Sequence, residues 1–172
     1  MTRTARLAIL LAPIGLAACA GGNTPALHCP QVAVLQQASR VVRGEGGSND
    51  IAAQTIDARI TGVAGKCSLA SKNMERVTFR IGFTATNGPA SHLTSQTLPY
   101  FIAITQSDRI IGKKIYPVTF DFRNGSEQAV ASTTPIRLSF PRAARSETQQ
   151  VLVGFQMTPA EIDRSNGAAP TR

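Results

Sequence analysis

From Val77 to Thr86 the chain alternates without a break: Val77, Phe79, Ile81, Phe83 and Ala85 are apolar, and Thr78, Arg80, Gly82, Thr84 and Thr86 lie between them. Successive side chains of a strand point to opposite faces, so a period of two makes a strand with one face in a core and the other in water. A helix would spread the same apolar set around its circumference. The pattern recurs along the chain. Ile56, Ala58 and Ile60 alternate with Asp57, Arg59 and Thr61, and Ala70-Ser71-Lys72-Asn73 offers the turn into the next strand. Leu98 to Thr105 is apolar nearly throughout, as a strand buried on both sides would be, with Pro99 near its start, where a missing donor is tolerated. Gln106-Ser107-Asp108-Arg109 then turns the chain before Ile110. Val118, Phe120 and Phe122 precede an Asn124-Gly125 turn; Ile136, Leu138 and Phe140, then Val151, Val153, Phe155 and Met157, repeat the alternation.

About seven strands with Pro, Gly and Asn punctuation predict an all-β fold, an antiparallel β-sandwich of immunoglobulin or fibronectin type, with the strand order left open. One short helix is predicted after Met157. Thr158 caps it, Pro159 takes its first position, Glu161 completes a Thr-x-x-Glu capping box, and Asn166-Gly167 ends it. Ile162 would close one end of the sandwich, leaving residues 168–172 as a loose, disordered tail.

The first residues set an address. Arg3 and Arg6 precede an apolar run from Leu7 to Leu16 interrupted by Pro13 and Gly15, which is a signal-peptide layout. The run is about half of what a helix needs to cross a ~30 Å hydrocarbon core. At its end Leu16-Ala17-Ala18-Cys19 resembles the lipobox of bacterial lipoproteins. That resemblance implies cleavage between Ala18 and Cys19 and a diacylglycerol, with a further acyl group such as palmitate, on the cysteine. Ordinary cleavage after Ala20 is the alternative, because Ala18-Cys19-Ala20 also fits a small-x-small site. Ala20 rather than Asp after the cysteine is what the sorting rule for such lipoproteins associates with the outer membrane, at its periplasmic face. Residues 1–18 are therefore expected to be signal peptide, 19–28 a lipidated flexible tether, and 29–167 one sandwich domain.

Cleavage at this point leaves 154 residues and, with Arg3 and Arg6 gone, lowers the net charge from +8 to +6. With Cys19 committed to lipid, Cys29 and Cys67 remain as two thiols in an oxidising compartment and are expected to pair. Their midpoint falls in the turn-like run Gly44 to Asp50. One strand from about Gln31 toward Val42 and a returning strand from about Ile51 toward Val63 would put both cysteines at one end of an antiparallel pair. Closing a loop of about 39 residues would stabilise the fold by roughly 4 kcal/mol. The competing metal reading, with His28 as third ligand, has no second Cys-x-x-Cys or His-x-x-x-His to complete the set, so no metal site is assigned.

A basic exported chain meets anionic lipid or polysaccharide, and nucleic acid is not the partner expected in that compartment. The candidate contacts are Lys113, Lys114, Arg137, Arg142 and Arg145, which could equally be a solvated strand face or charges guarding an edge. No Gly-x-Ser-x-Gly, His-Glu-x-x-His, Gly-x-x-x-x-Gly-Lys or Gly-x-Gly-x-x-Gly occurs. His28 and His92 are the only histidines, the ten carboxylates are dispersed, and Trp is absent, which disfavours an aromatic sugar platform. No catalytic residue and no cofactor beyond the covalent lipid on Cys19 is therefore assigned.

Cys29-Pro30, Gly65-Lys66-Cys67, Leu98-Pro99-Tyr100-Phe101 and the run Val151 to Pro159 together resemble a family of small bacterial envelope lipoproteins with a β-sandwich domain. The resemblance covers nearly the whole mature chain. It implies the anchor, the disulfide and the fold, and lends no catalytic residue. The expectation is a lipid-anchored, non-catalytic module that docks another envelope protein through an exposed edge or end loops. A binder of anionic polymer or headgroups is the alternative, and an enzyme, with His92 in a pocket near a carboxylate, the third possibility.

Overall fold

The computed structural model describes residues 27–142 and 148–167. Among these residues nine strands form two sheets. Sheet A has four strands in the order β1 (Gln31–Val34), β9 (Gln149–Phe155), β5 (Ser95–Gln106), β6 (Arg109–Asp121). Sheet B runs β2 (Arg40–Gly44), β3 (Gln54–Ser71), β4 (Met74–Asn87), and then both β7 (Gln128–Ser132) and β8 (Ile136–Pro141), which pair with the two halves of β4. This is the β-sandwich that the alternation predicts. The helix α1 (Pro159–Gly167) follows β9, with the Thr158 N–H donating to Glu161 Oε2 at 2.8 Å and the Glu161 N–H to Thr158 Oγ1 at 3.3 Å, so the capping box forms as read.

The alternating residues of β4 build the core. Val77, Phe79, Ile81, Phe83 and Ala85 are all buried. Across the gap the Phe83 ring meets Tyr100, Phe155 and Phe120, at centroid distances of 5.2, 5.8 and 6.4 Å. In β5, Leu98, Tyr100 and Ile102 face this core, while Phe101 and Ala103 are buried on the other face. Part of that outer face is covered by a 3-10 turn, Gln36–Ala38. Gly154 makes the cover possible: a Cβ there would lie 2.6 Å from Ala38 Cβ and 2.8 Å from the Phe101 ring.

Three expectations need correction. The single strand foreseen from Gln31 to Val42 is two strands in different sheets, because Leu35 donates its N–H to Val153 and the Gln36–Ala38 turn then carries the chain across the sandwich edge. β1 runs parallel to β9, so the fold is not wholly antiparallel. The strand total exceeds the expected seven partly because of β7, whose apolar residues Ala129, Val130 and Ala131 are consecutive and do not alternate, and whose Val130 is 84% exposed. β7 and β8 are separate because Thr133 replaces strand pairing with a two-way bond to Ile81, and Pro135 has no N–H to continue the ladder.

The Cys29–Cys67 disulfide is present, with Cα atoms 6.1 Å apart. It joins the segment leading into β1 to β3, and therefore ties sheet A to sheet B rather than closing one antiparallel pair. The β3–β4 turn, the β5–β6 turn at Ser107 and Asp108, and the chain's entry at Cys29 all lie at one end, called lower here.

Candidate functional site

The two sides of the sandwich are finished differently. On one side, β1 has only four residues, and β2 is covered by α1: the Val42 N–H donates to Ser165 Oγ at 3.1 Å, and Arg43 Nε pairs with Glu161 at 2.8 Å. Arg164 also holds the Gly44–Asp50 loop, donating to Asn49 Oδ1 and to the Gly47 carbonyl, each at 2.7 Å. Short and covered edges are what prevent strand addition.

On the other side, β6 is the thirteen-residue terminal strand of sheet A. It exposes Ile110, Ile111, Ile115 and Tyr116 at 63, 56, 56 and 37%. Above Pro117 the strand closes against β7, with Val118 and Phe120 buried. Below it, β6 and β8 stand apart and leave a groove of about 680 Å³. Tyr100, Ile102 and Ile104 belong to its floor, Gly112, Lys114 and Tyr116 to one wall, and Ile136 and Leu138 to the other. Tyr116 stacks on Tyr100 at 5.6 Å, and burial, with Tyr116 beside it, pushes the Tyr100 phenol above its ordinary pKa.

Of the five basic residues singled out in the sequence, Lys113, Lys114 and Arg137 all line the groove, but their strand positions do not put all three on its inner face. Lys113 and Lys114 are consecutive in a strand and take opposite faces: Lys114 is on the groove face, in register with Ile102, and Lys113 lies on the outer face with its Nζ 4.6 Å from the Phe101 ring centre. Arg137 is in the β8 wall, but its register partner Thr78 is on the outer face of sheet B, opposite the groove's Ile136 and Leu138. Arg142 turns to the disulfide end, where its Nε is 3.6 Å from Glu75. Arg145 lies outside the described residues, as do Ala18 and Cys19.

Glu75 was missed in the sequence, where it reads as one more turn carboxylate. It is fully buried and accepts the His28 N–H on both oxygens, at 3.1 and 3.0 Å, so it ties the incoming chain to β4. Its carboxylate and the two sulfurs of Cys29 and Cys67 lie within 4.8 Å of one another. The sulfurs are bonded together, which removes both thiolates as metal ligands in this state.

His92 lines a cleft of about 580 Å³ at the upper end together with Glu127, Ser91 and Ser126. The hydroxyls of Ser91 and Ser126 take part in turn building. Ser91 Oγ donates to Asn87 Oδ1 at 3.1 Å and accepts from Gln96 Nε2 at 3.0 Å, and Ser126 Oγ donates to the Gln128 carbonyl at 2.7 Å. A nucleophile needs its hydroxyl proton directed at a base, and these donate to amide oxygens.

The fold and its edges define a two-sheet β-sandwich with one guarded side and one open side. Comparison with protein families, curated proteins and solved structures finds no match for this chain.

Proposed function

We propose that the chain is a lipid-anchored lipoprotein of the outer membrane's periplasmic face, and that its sandwich is a non-catalytic module docking another envelope protein along β6. The contrast between the two sides carries this reading. A long edge strand with unpaired backbone groups and four exposed apolar side chains is a template for an added strand, whereas the opposite side is closed to one.

The occupant is an extended segment of a different chain with acidic residues. Lys113 and Lys114 sit near the middle of β6, so a second copy pairing antiparallel about that point would bring lysines against lysines, whereas carboxylates on a partner strand would meet one on each face. The same lysines thus discourage self-association and select a partner.

A photo-crosslinking residue at Ile111 in intact cells is expected to capture one discrete envelope protein, whereas one at Ile51, 77% exposed on the guarded side, is not. Lys113→Glu with Lys114→Glu should abolish the adduct, and Cys19→Ser should reduce it by releasing the module. Equal capture from both positions, or none from Ile111, would refute docking at β6. Labelling with palmitate, present in wild type and lost in Cys19→Ser, tests the anchor.

A further inference from the structure

The outer face of sheet B holds a basic cluster that linear spacing hides. Lys66, Thr78 and Arg137 share one row across β3, β4 and β8, and Arg76 and Arg80 flank Thr78 on the same face of β4. With strands about 4.8 Å apart and a rise of about 3.3 Å per residue, the four cations surround Thr78 within about 10 Å. Lys66, Arg80 and Arg137 are exposed and Arg76 is partly so. Among the described residues none of the four has a carboxylate partner. Like charges on neighbouring rows of a sheet repel, so an unneutralised cluster costs the isolated domain stability that an anionic surface would restore.

The cluster belongs to a wider polarity. The lower half of the sandwich contains nine of the fourteen described Lys and Arg residues and two of the nine described carboxylates, Glu75 and Asp108. Glu75 is buried and faces Arg142. The other seven carboxylates, among them Asp57, Glu127 and Glu161, are in the upper half with five arginines. The chain enters at the basic end: Cys29 is bonded to Cys67, the residue after Lys66. Cys19 precedes Cys29 by ten residues, a reach of at most about 36 Å.

We propose that the patch of Lys66, Arg76, Arg80 and Arg137 docks on the headgroup surface of an anionic phospholipid bilayer, as a second membrane contact beside the acyl chains. A basic patch adds to a lipid anchor, because each cation near an anionic leaflet raises the partition about five-fold. This inference uses the proposed anchor on Cys19 only to say which surface lies within reach. It sets the sandwich basic end down, with β6 running away from the bilayer and its apolar residues presented sideways.

The test uses the chain from residue 19 onward with Cys19→Ser, so that neither an acyl group nor the apolar run from Leu7 to Leu16 contributes, sedimented with vesicles of phosphatidylcholine alone or mixed with phosphatidylglycerol. Binding is expected only to the mixed vesicles, and should be lost at high salt. Lys66→Gln with Arg80→Gln and Arg137→Gln should lower the partition about 100-fold. Arg123→Gln, exposed at the other end, should leave it unchanged, and charge-conserving Arg80→Lys with Arg137→Lys should retain it. A matching urea midpoint shows that the neutralised chain is folded. Equal binding to neutral vesicles, no binding to anionic ones, or a triple variant no weaker than Arg123→Gln would overturn the proposal. None of these results bears on palmitate labelling of Cys19 or on capture at Ile111, so failure here is separable from failure of the docking function.

Discussion

Gly154→Ala probes the joint that closes the outer face of sheet A. The new methyl would sit 2.6 Å from Ala38 Cβ and 2.8 Å from Cζ of Phe101, both separations that real Cβ atoms essentially never show. Ala38, Gly154 and Phe101 are all buried, and Ala38 is in the turn that carries the chain between sheets, so the strain cannot be relieved by swinging a side chain into solvent. Overpacking of this kind costs about 1–3 kcal/mol. With two neighbours in conflict the upper part of that range is expected, lowering the melting temperature by about 6–10 °C in a domain of this size. Urea denaturation followed by circular dichroism measures the free-energy loss, and a thermal scan the shift in melting temperature. Ala38→Gly removes the shorter conflict but loosens the turn by up to about 1 kcal/mol on its own. The double variant should therefore be more stable than the two single losses added together, by about 1 kcal/mol or more. Additive losses, or a Gly154→Ala chain as stable as wild type, would mean that the Gln36–Ala38 turn does not pack on β9 as described.

Replacing Cys29 and Cys67 by serine frees a loop spanning a sequence separation of 38 and should cost roughly 4 kcal/mol, read as a lower urea midpoint. Asp57 and Glu161 give an acid-side prediction. Burial opposes their ionisation, yet both carboxyls are held below their usual range, Asp57 by hydrogen bonds and charge from Arg40 with Arg59 beyond, Glu161 by the Thr158 N–H and Arg43. A depressed folded-state pKa contributes stability that is complete above the ordinary carboxylate range and disappears as pH falls through the lowered values. Urea midpoints should therefore fall below about pH 4, and Asp57→Asn should flatten that fall; an unchanged slope would refute the Arg40 assignment.

The core was legible because alternation is local. Val77 through Ala85 point inward whatever they pair with, and the capping box of Thr158 and Glu161 needs only its own turn. The disulfide partners were legible once Cys19 was set aside, although the sheets they join were not. The Gln31–Val42 stretch failed because nothing in its own residues says that Leu35 will bond to Val153, far along the chain. The faces that the basic residues take were not legible for a related reason. Lys113, Lys114, Arg137 and Arg142 look alike as points on a line, but strand parity sends the two lysines to opposite faces, and a buried carboxylate draws Arg142 away.

What the sequence determined by itself is the class of fold, its apolar faces and the helix cap at Thr158, because each depends on a few neighbouring residues. Tertiary structure decided which edges are covered, that β6 and β8 part to leave a groove, and that Lys66, Arg76, Arg80 and Arg137 meet on one face. Those outcomes depend on register between strands remote in the chain, and a shift of one residue in that register would turn every one of these side chains to the opposite face.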